Sequence, residues 1–182
     1  PESGSDLASL QTRAVEDGDD FVINGTKIWT SGAHRADHIM VLTRTDPDAP
    51  KHRGISFLLC DMNTPGLTVN PIINMAGDHS FNMVTFDNVR VPKKNLVGEQ
   101  NRGWYVGATL LDFERSGVDY SAGSRRVLEE LVEYSKENYK DGKLLSEDEV
   151  TRNRLADLAI EIEVSRLISY NIAWMQGAGL VP

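Results

Sequence analysis

The chain has 182 residues, of which 40% are hydrophobic and 25% charged, and its formal net charge is −8. This composition excludes disordered and membrane-embedded classes, and no apolar run approaches the ~20 residues a membrane span needs. The acidic balance speaks against nucleic acid as a partner, and the length allows one or two domains.

The chain opens with Glu2-Ser3-Gly4-Ser5-Asp6, a small-residue turn that either forms a plain capped loop or lets a ligand approach the backbone closely. Two β-rich runs, 21–23 and 26–29, then flank Asn24-Gly25, which predicts a hairpin over 21–31 with a type I′ turn. It ends in Trp29-Thr30-Ser31-Gly32-Ala33. An indole beside two hydroxyls, where a strand runs out, offers a stacking face and polar groups for a flat heterocycle; the alternative is a surface tryptophan capping a core. Further strands are predicted over 38–43, 54–61, 67–70 and 83–90, separated by turn signals such as Thr64-Pro65-Gly66. In the last of these Val84, Phe86 and Val89 face inward, and Asp87-Asn88 form a bulge or turn. Cys60 is the single cysteine and has no internal partner for a disulfide. It reads as a small buried hydrophobe in a reducing compartment, cytoplasmic in a bacterium. Many short strands at this spacing indicate a sandwich or barrel.

After Gly103 the periodicity turns helical, and no proline occurs from Lys93 to Val181. Leu110, Leu111, Val127, Leu128, Leu131 and Val132 mark the apolar stripe of a first long helix. Lys140-Asp141-Gly142-Lys143 breaks it. Ser146 is the expected N-cap of a second helix, with Glu147, Asp148 and Glu149 in its first turn. The fold class is therefore α+β: an antiparallel β-barrel or sandwich followed by an antiparallel helical hairpin. Such a hairpin leaves an apolar stripe to cover, and both chain ends read as cut, so the sequence is expected to be a segment of a longer protein.

Several chemistries are set aside. The four histidines lack zinc or iron ligand spacing, so no metal site is expected. No G-x-S-x-G elbow, phosphate loop or G-x-G-x-x-G fingerprint occurs. On the first long helix, Asp112 and Arg115 share a face, whereas Glu114 is offset. These three either form a solvated helix surface, or place one carboxylate in a cleft where partial desolvation would suit it to take a proton.

The motifs in order resemble the acyl-CoA dehydrogenase family over essentially the whole chain. The first six residues are similar to its E-P-x-x-G-S-D segment, and residues 24–31 to N-G-x-K-x-W-[IT]-[ST]. Val89-Arg90-Val91-Pro92 with Leu96-Val97-Gly98 resembles V-x-V-P…L-x-G, and 103–115 resembles the start of the C-terminal helical domain. The resemblance implies a middle β domain over 1–98, the first part of the C-terminal helical domain over 99–182, and an N-terminal helical domain outside this chain. It implies FAD bound with Trp29 near the flavin ring and Thr30 and Ser31 at its polar edge. Ser5, Asp112 and Arg115 would meet the acyl-CoA. The implied reaction is α,β-dehydrogenation of a thioester, with electrons passed to an electron-transfer flavoprotein. The family places its glutamate base in two ways, so the base is either Glu114 or a residue beyond 182. A homo- or hetero-oligomer is implied. One departure stands out: the family's R-x-x-F-G between these helices is replaced by residues 138–144, Asn-Tyr-Lys-Asp-Gly-Lys-Leu. Shared FAD binding across subunits loses its guanidinium there. Two other readings remain: a monooxygenase or oxidase on the same fold, and a non-catalytic subunit.

Overall fold

A computed structural model describes residues 3–114 and 117–180. The chain divides into two compact units, 1–110 and 111–182. The first is built on a seven-stranded sheet in the order β5-β6-β2-β1-β3-β4-β7. The strands are β1 (Arg13–Asp17), β2 (Asp20–Lys27), β3 (His38–Arg44), β4 (Ile55–Asp61), β5 (Leu67–Ile73), β6 (His79–Pro92) and β7 (Leu96–Val97). All neighbours are antiparallel except β1 and β3, which run parallel and meet at Arg13 and Arg44. The outer strands β5 and β7 do not pair with each other, so among the described residues the sheet is open and no barrel closes. β5 carries Pro71 opposite Asn82 of β6.

The sequence placed the first hairpin turn one step too late. The strands that fold back are β1 and β2, with Asp17 facing Asp20 across a two-residue loop. Gly18 supplies the positive φ of 63° that this turn needs. Asn24-Gly25 lies instead inside β2. Its Asn24 faces two residues, Asp87 and Asn88, where the β2–β6 register shifts. The Asn24 carboxamide oxygen accepts from the Asn88 N–H at 2.9 Å, so the side chain satisfies backbone that the bulge leaves unpaired. The expected bulge at 87–88 is present, and Val84, Phe86 and Val89 are inside as expected. They join Ala14, Phe21, Ile23, Val41, Leu58, Cys60 and Val91 in one core. Burial pushes the Cys60 thiol above its usual range.

The helical part departs from the expectation in two places. The first predicted helix is two: α1 (Gly103–Glu114) and α2 (Val118–Glu137). Gly117 before α2 has ψ 115°, an extended value that cannot continue a helix. The last helix, α3 (Glu149–Gly177), is capped by Asp148 and not by Ser146. The Asp148 carboxylate accepts from both the N–H and the hydroxyl of Thr151, each at 2.8 Å, while Ser146 lies in a short 3-10 turn. Those two bonds hold the Asp148 carboxyl below its ordinary value. Between α2 and α3, β8 (Tyr139–Lys140) and β9 (Lys143–Leu144) form a minimal hairpin whose Asp141-Gly142 turn has φ of 51° and 80°. Both positive values identify a type I′ turn. The two helices leave many apolar side chains outside, including Val127, Leu131, Tyr134, Ile160, Leu167 and Trp174. No helix among the described residues is long and apolar enough to cross a membrane.

The start of α1 is fixed to β4 by a close backbone approach. The Ser56 hydroxyl, fully buried, accepts from the Asn101 N–H at 2.8 Å and meets the Thr45 hydroxyl at 2.7 Å. A Cβ at position 103 would lie 2.3 Å from the Phe57 nitrogen and 2.5 Å from the Ser56 carbonyl carbon, backbone atoms that cannot yield. Gly103→Ala is expected to destabilise the 1–110 unit by about 3 kcal/mol. Gly107→Ala meets only the Leu42 side chain at 3.3 Å and stays within about 1 kcal/mol of wild type. Urea midpoints of the three proteins by circular dichroism check this.

Candidate flavin-facing wall

Trp29, Thr30 and Ser31 follow β2 after one intervening residue, Ile28. The β2–β6 ladder pairs Lys27 with Val84. It resumes at Thr30, whose N–H donates to the Asn82 carbonyl at 2.9 Å while the Asn82 N–H donates back to Thr30 O at 3.1 Å. Between these pairs stand two residues, Ile28 and Trp29, against one, Met83. That count defines a second bulge. Trp29 takes its left-handed conformation there, with φ 63°, and its indole is 61% exposed. A bulky residue in this region is a genuine outlier costing on the order of 1–3 kcal/mol, and such strain concentrates at ligand sites. The exposed ring touches Phe81 edge-on, with centroids 6.1 Å apart.

Beyond the bulge the chain turns. Gly32, at φ 67°, opens a 3-10 turn over Ala33–Arg35, and its N–H reaches the Ser80 carbonyl at 3.2 Å. Thr30 is half-buried and Ser31 exposed. Among the described residues neither hydroxyl has a hydrogen-bond partner, nor does the Ser31 N–H. An exposed aromatic face beside open donors and acceptors fits a flat ring with a polar edge.

Behind the wall lies a network that the sequence did not reveal. Asn82 is fully buried and joins Thr30 to His34 and His79. The two imidazoles stack at 3.9 Å. The histidines drew attention only as possible metal ligands, and nothing in their spacing from Asn82 marks the cluster. Lys27, two residues before Trp29, is also partly buried, and its Nζ donates to the Leu42 carbonyl at 2.8 Å.

Ser5 is exposed in a bend. Its neighbour Asp6 pairs with Lys51 at 3.2 Å, and Arg44 reaches across to Ala8 O at 2.6 Å and Lys51 O at 2.9 Å. The 46–54 loop and the opening segment are thus joined. Asp112 and Glu114 both stand exposed in the last turn of α1, within the second unit. Two residues apart on a helix, their side chains leave in directions about 200° apart. Arg115 lies outside the described residues. Among the described residues no group of three side chains is arranged to hold a metal ion.

Comparison with known proteins matches two stretches of the chain to family models. Residues 1–89 match the family model for the acyl-CoA dehydrogenase middle domain, and 101–182 match that for its C-terminal domain. Acyl-CoA dehydrogenase FadE34 of Mycobacterium tuberculosis is 38% identical over all of this chain and a quarter (25%) of its own length. Among solved structures, the Tcur3481-Tcur3483 steroid ACAD is 37% identical with a TM-score of 0.88, covering 100% of this chain and 46% of its own. The ChsE4-ChsE5 complex from Mycobacterium tuberculosis gives 37% identity and a TM-score of 0.84, covering 97% and 46%. The chain therefore spans less than half the length of these relatives.

Lys27 supplies a test of burial beside the wall. Burial pushes its amine from the ordinary 10.5 down to about 8. Below pH 8 native and unfolded states both hold the proton, so burying the charge opposes folding by about 3 kcal/mol. From pH 8 to 10.5 the native state releases its proton first, and stability rises with pH. Lys27→Met removes this cost and also the bond to Leu42, worth about 1 kcal/mol. The variant is expected to exceed wild type by about 2 kcal/mol at pH 7. Urea titrations of both proteins should show that advantage shrinking as the pH approaches about 10.

Proposed function

The chain belongs to the acyl-CoA dehydrogenase family, and from that premise we propose that it forms part of an FAD-dependent enzyme that desaturates an acyl-CoA thioester between its α and β carbons. In this reading residues 1–98 are the middle β domain and 99–182 the first part of the C-terminal helical domain. The observation that carries it is the Trp29 bulge: a strained, exposed indole followed by hydroxyls with no partner among the described residues. The indole packs against the flavin ring, and Thr30 and Ser31 meet its polar edge. When bound, FAD accepts the hydride that leaves the β-carbon. Ser5 holds the pantetheine and phosphate portion of the acyl-CoA, and Asp112 and Arg115 line the thioester site. A Glu114 Oε takes the α-proton as that hydride departs, leaving the new double bond conjugated with the thioester. Electrons then pass to an electron-transfer flavoprotein, and the working unit is an oligomer.

A second reading rests on the α2–α3 connection. The tight Asp141-Gly142 hairpin occupies the place of R-x-x-F-G and carries Lys140 and Lys143 but no arginine. Lysine offers a point charge where a guanidinium would bind bidentately. That favours a subunit which supports an active partner, in keeping with the ChsE4-ChsE5 complex, which has two components.

The two readings separate in one experiment on the full-length protein loaded with FAD. Anaerobic addition of a panel of acyl-CoA thioesters is expected to bleach the visible flavin band, and Glu114→Gln to slow bleaching at least about a hundredfold. Bleaching within a few-fold of wild type in that variant moves the base beyond residue 182. No bleaching by any thioester rejects dehydrogenation by this subunit.

A further inference from the structure

We propose that Asn82 is the positioning residue for the Trp29–Ser31 wall, and that His34 and His79 hold its carboxamide in the working orientation. The inference rests on reading that wall as the flavin-facing surface. A carboxamide has two N–H donors and one acceptor oxygen.

Asn82 contacts three groups: Thr30 O at 3.0 Å, His34 Nδ1 at 3.1 Å and His79 Nε2 at 2.8 Å. A carbonyl oxygen only accepts, so the Asn82 atom facing Thr30 O must be Nδ2. This settles which way the carboxamide points. The second Nδ2 hydrogen then points at His34 Nδ1, which must be unprotonated to receive it. Asn82 Oδ1 faces His79 Nε2, which must carry a proton to donate. Each ring therefore has one defined role, and stacking at 3.9 Å keeps the pair side by side. No other arrangement satisfies all three contacts.

The target of this arrangement is Thr30 O. That carbonyl accepts twice, from the Asn82 main chain at 3.1 Å and from its side chain at 3.0 Å. Thr30 is the residue at which the ladder resumes after Trp29, so fixing Thr30 fixes the exit of the bulge. Phe81, the neighbour of Asn82, meets the Trp29 ring from the same strand. A left-handed tryptophan persists only where its surroundings over-determine it. The doubled bond at Thr30 and the edge contact with Phe81 supply that determination from β6.

Two variants of the full-length protein test this. Asn82→Asp keeps the shape and replaces both donors by an acceptor. His34→Phe, at an exposed position, keeps a ring on His79 and removes the acceptor for Nδ2. Amide hydrogen exchange of the FAD-free protein is expected to speed up at Thr30 and Asn82 about tenfold in Asn82→Asp and about threefold in His34→Phe. The Kd for FAD is expected to rise by similar factors, with the KM for acyl-CoA unchanged. Wild-type exchange and wild-type FAD affinity in both variants overturn the inference. Faster exchange with unchanged FAD affinity also overturns it, leaving Asn82 a purely structural residue. If Asn82→Asp does not fold, His34→Phe decides alone. If wild type binds no FAD while both variants exchange faster, the ordering of this segment by Asn82 stands and the flavin-wall reading falls.

Discussion

One extra residue in the β2–β6 ladder governs the exposed end of the sheet. Antiparallel strands carry side chains alternately to the two faces, so a single inserted residue reverses the alternation beyond it. Here the insertion is at Ile28 and Trp29, opposite Met83, and the ladder closes again through paired bonds between Thr30 and Asn82. Everything upstream remains in register with the core, where Phe21 and Ile23 are buried. From the bulge onward Trp29 and Ser31 are turned towards solvent, and Ala33 returns to the core. The indole can be exposed without exposing the core because the bulge absorbs the change within two residues. A second bulge, at Asn24 against Asp87 and Asn88, lies on the same strand pair and is stabilised by side-chain amide bonds. The chain thus bulges once within β2, at Asn24, and once just beyond it, at Ile28 and Trp29.

Much of the β unit was legible because its signals are local. Alternation in 83–90 gave the inward set Val84, Phe86 and Val89, and the apolar run 55–60 gave β4 with Cys60 inside. The first hairpin was misread because Asn-Gly favours positive φ wherever the backbone requires it, and a bulge requires it as well as a turn does. Gly18-Asp19 carries a weaker signal, but the pairing of β1 with β2 decides the matter. β1 itself went unseen because Arg13, Glu16 and Asp17 make it read as loop. The extended Gly117 ahead of α2 went unseen because no proline falls between the two helices to mark an interruption. The Trp29 wall was legible as a motif. Its support was not: His79 lies three residues before Asn82 on β6, but Thr30 and His34 reach Asn82 from 52 and 48 positions away, and no spacing rule covers that distance.

The second unit shows the opposite balance. Its helical character was legible though its helix boundaries were not, and the packing of its helices is incomplete on their own. Val127, Leu131, Ile160, Leu167 and Trp174 are all largely exposed. Ion pairs such as Arg125–Glu129 and Arg126–Glu130 decorate the other positions of α2 at i,i+4 spacing. Such pairs contribute a few tenths of a kcal/mol each, too little to hold a helical hairpin together. The stability of α2 and α3 therefore depends on what their apolar surfaces meet, whereas the sheet unit encloses a core of its own.

The open sheet raises a different matter, that of unwanted self-association. An unpaired outer strand is a template on which another chain can extend the sheet. β5 is such a strand, and Pro71 stands at its centre without an N–H to offer. An incoming strand would find the row of donors interrupted midway, directly across the sheet from Asn82. The same position that frames the Trp29 wall from behind thus lies next to a built-in guard against fibre formation, and the sheet can stay open without inviting a neighbour to close it.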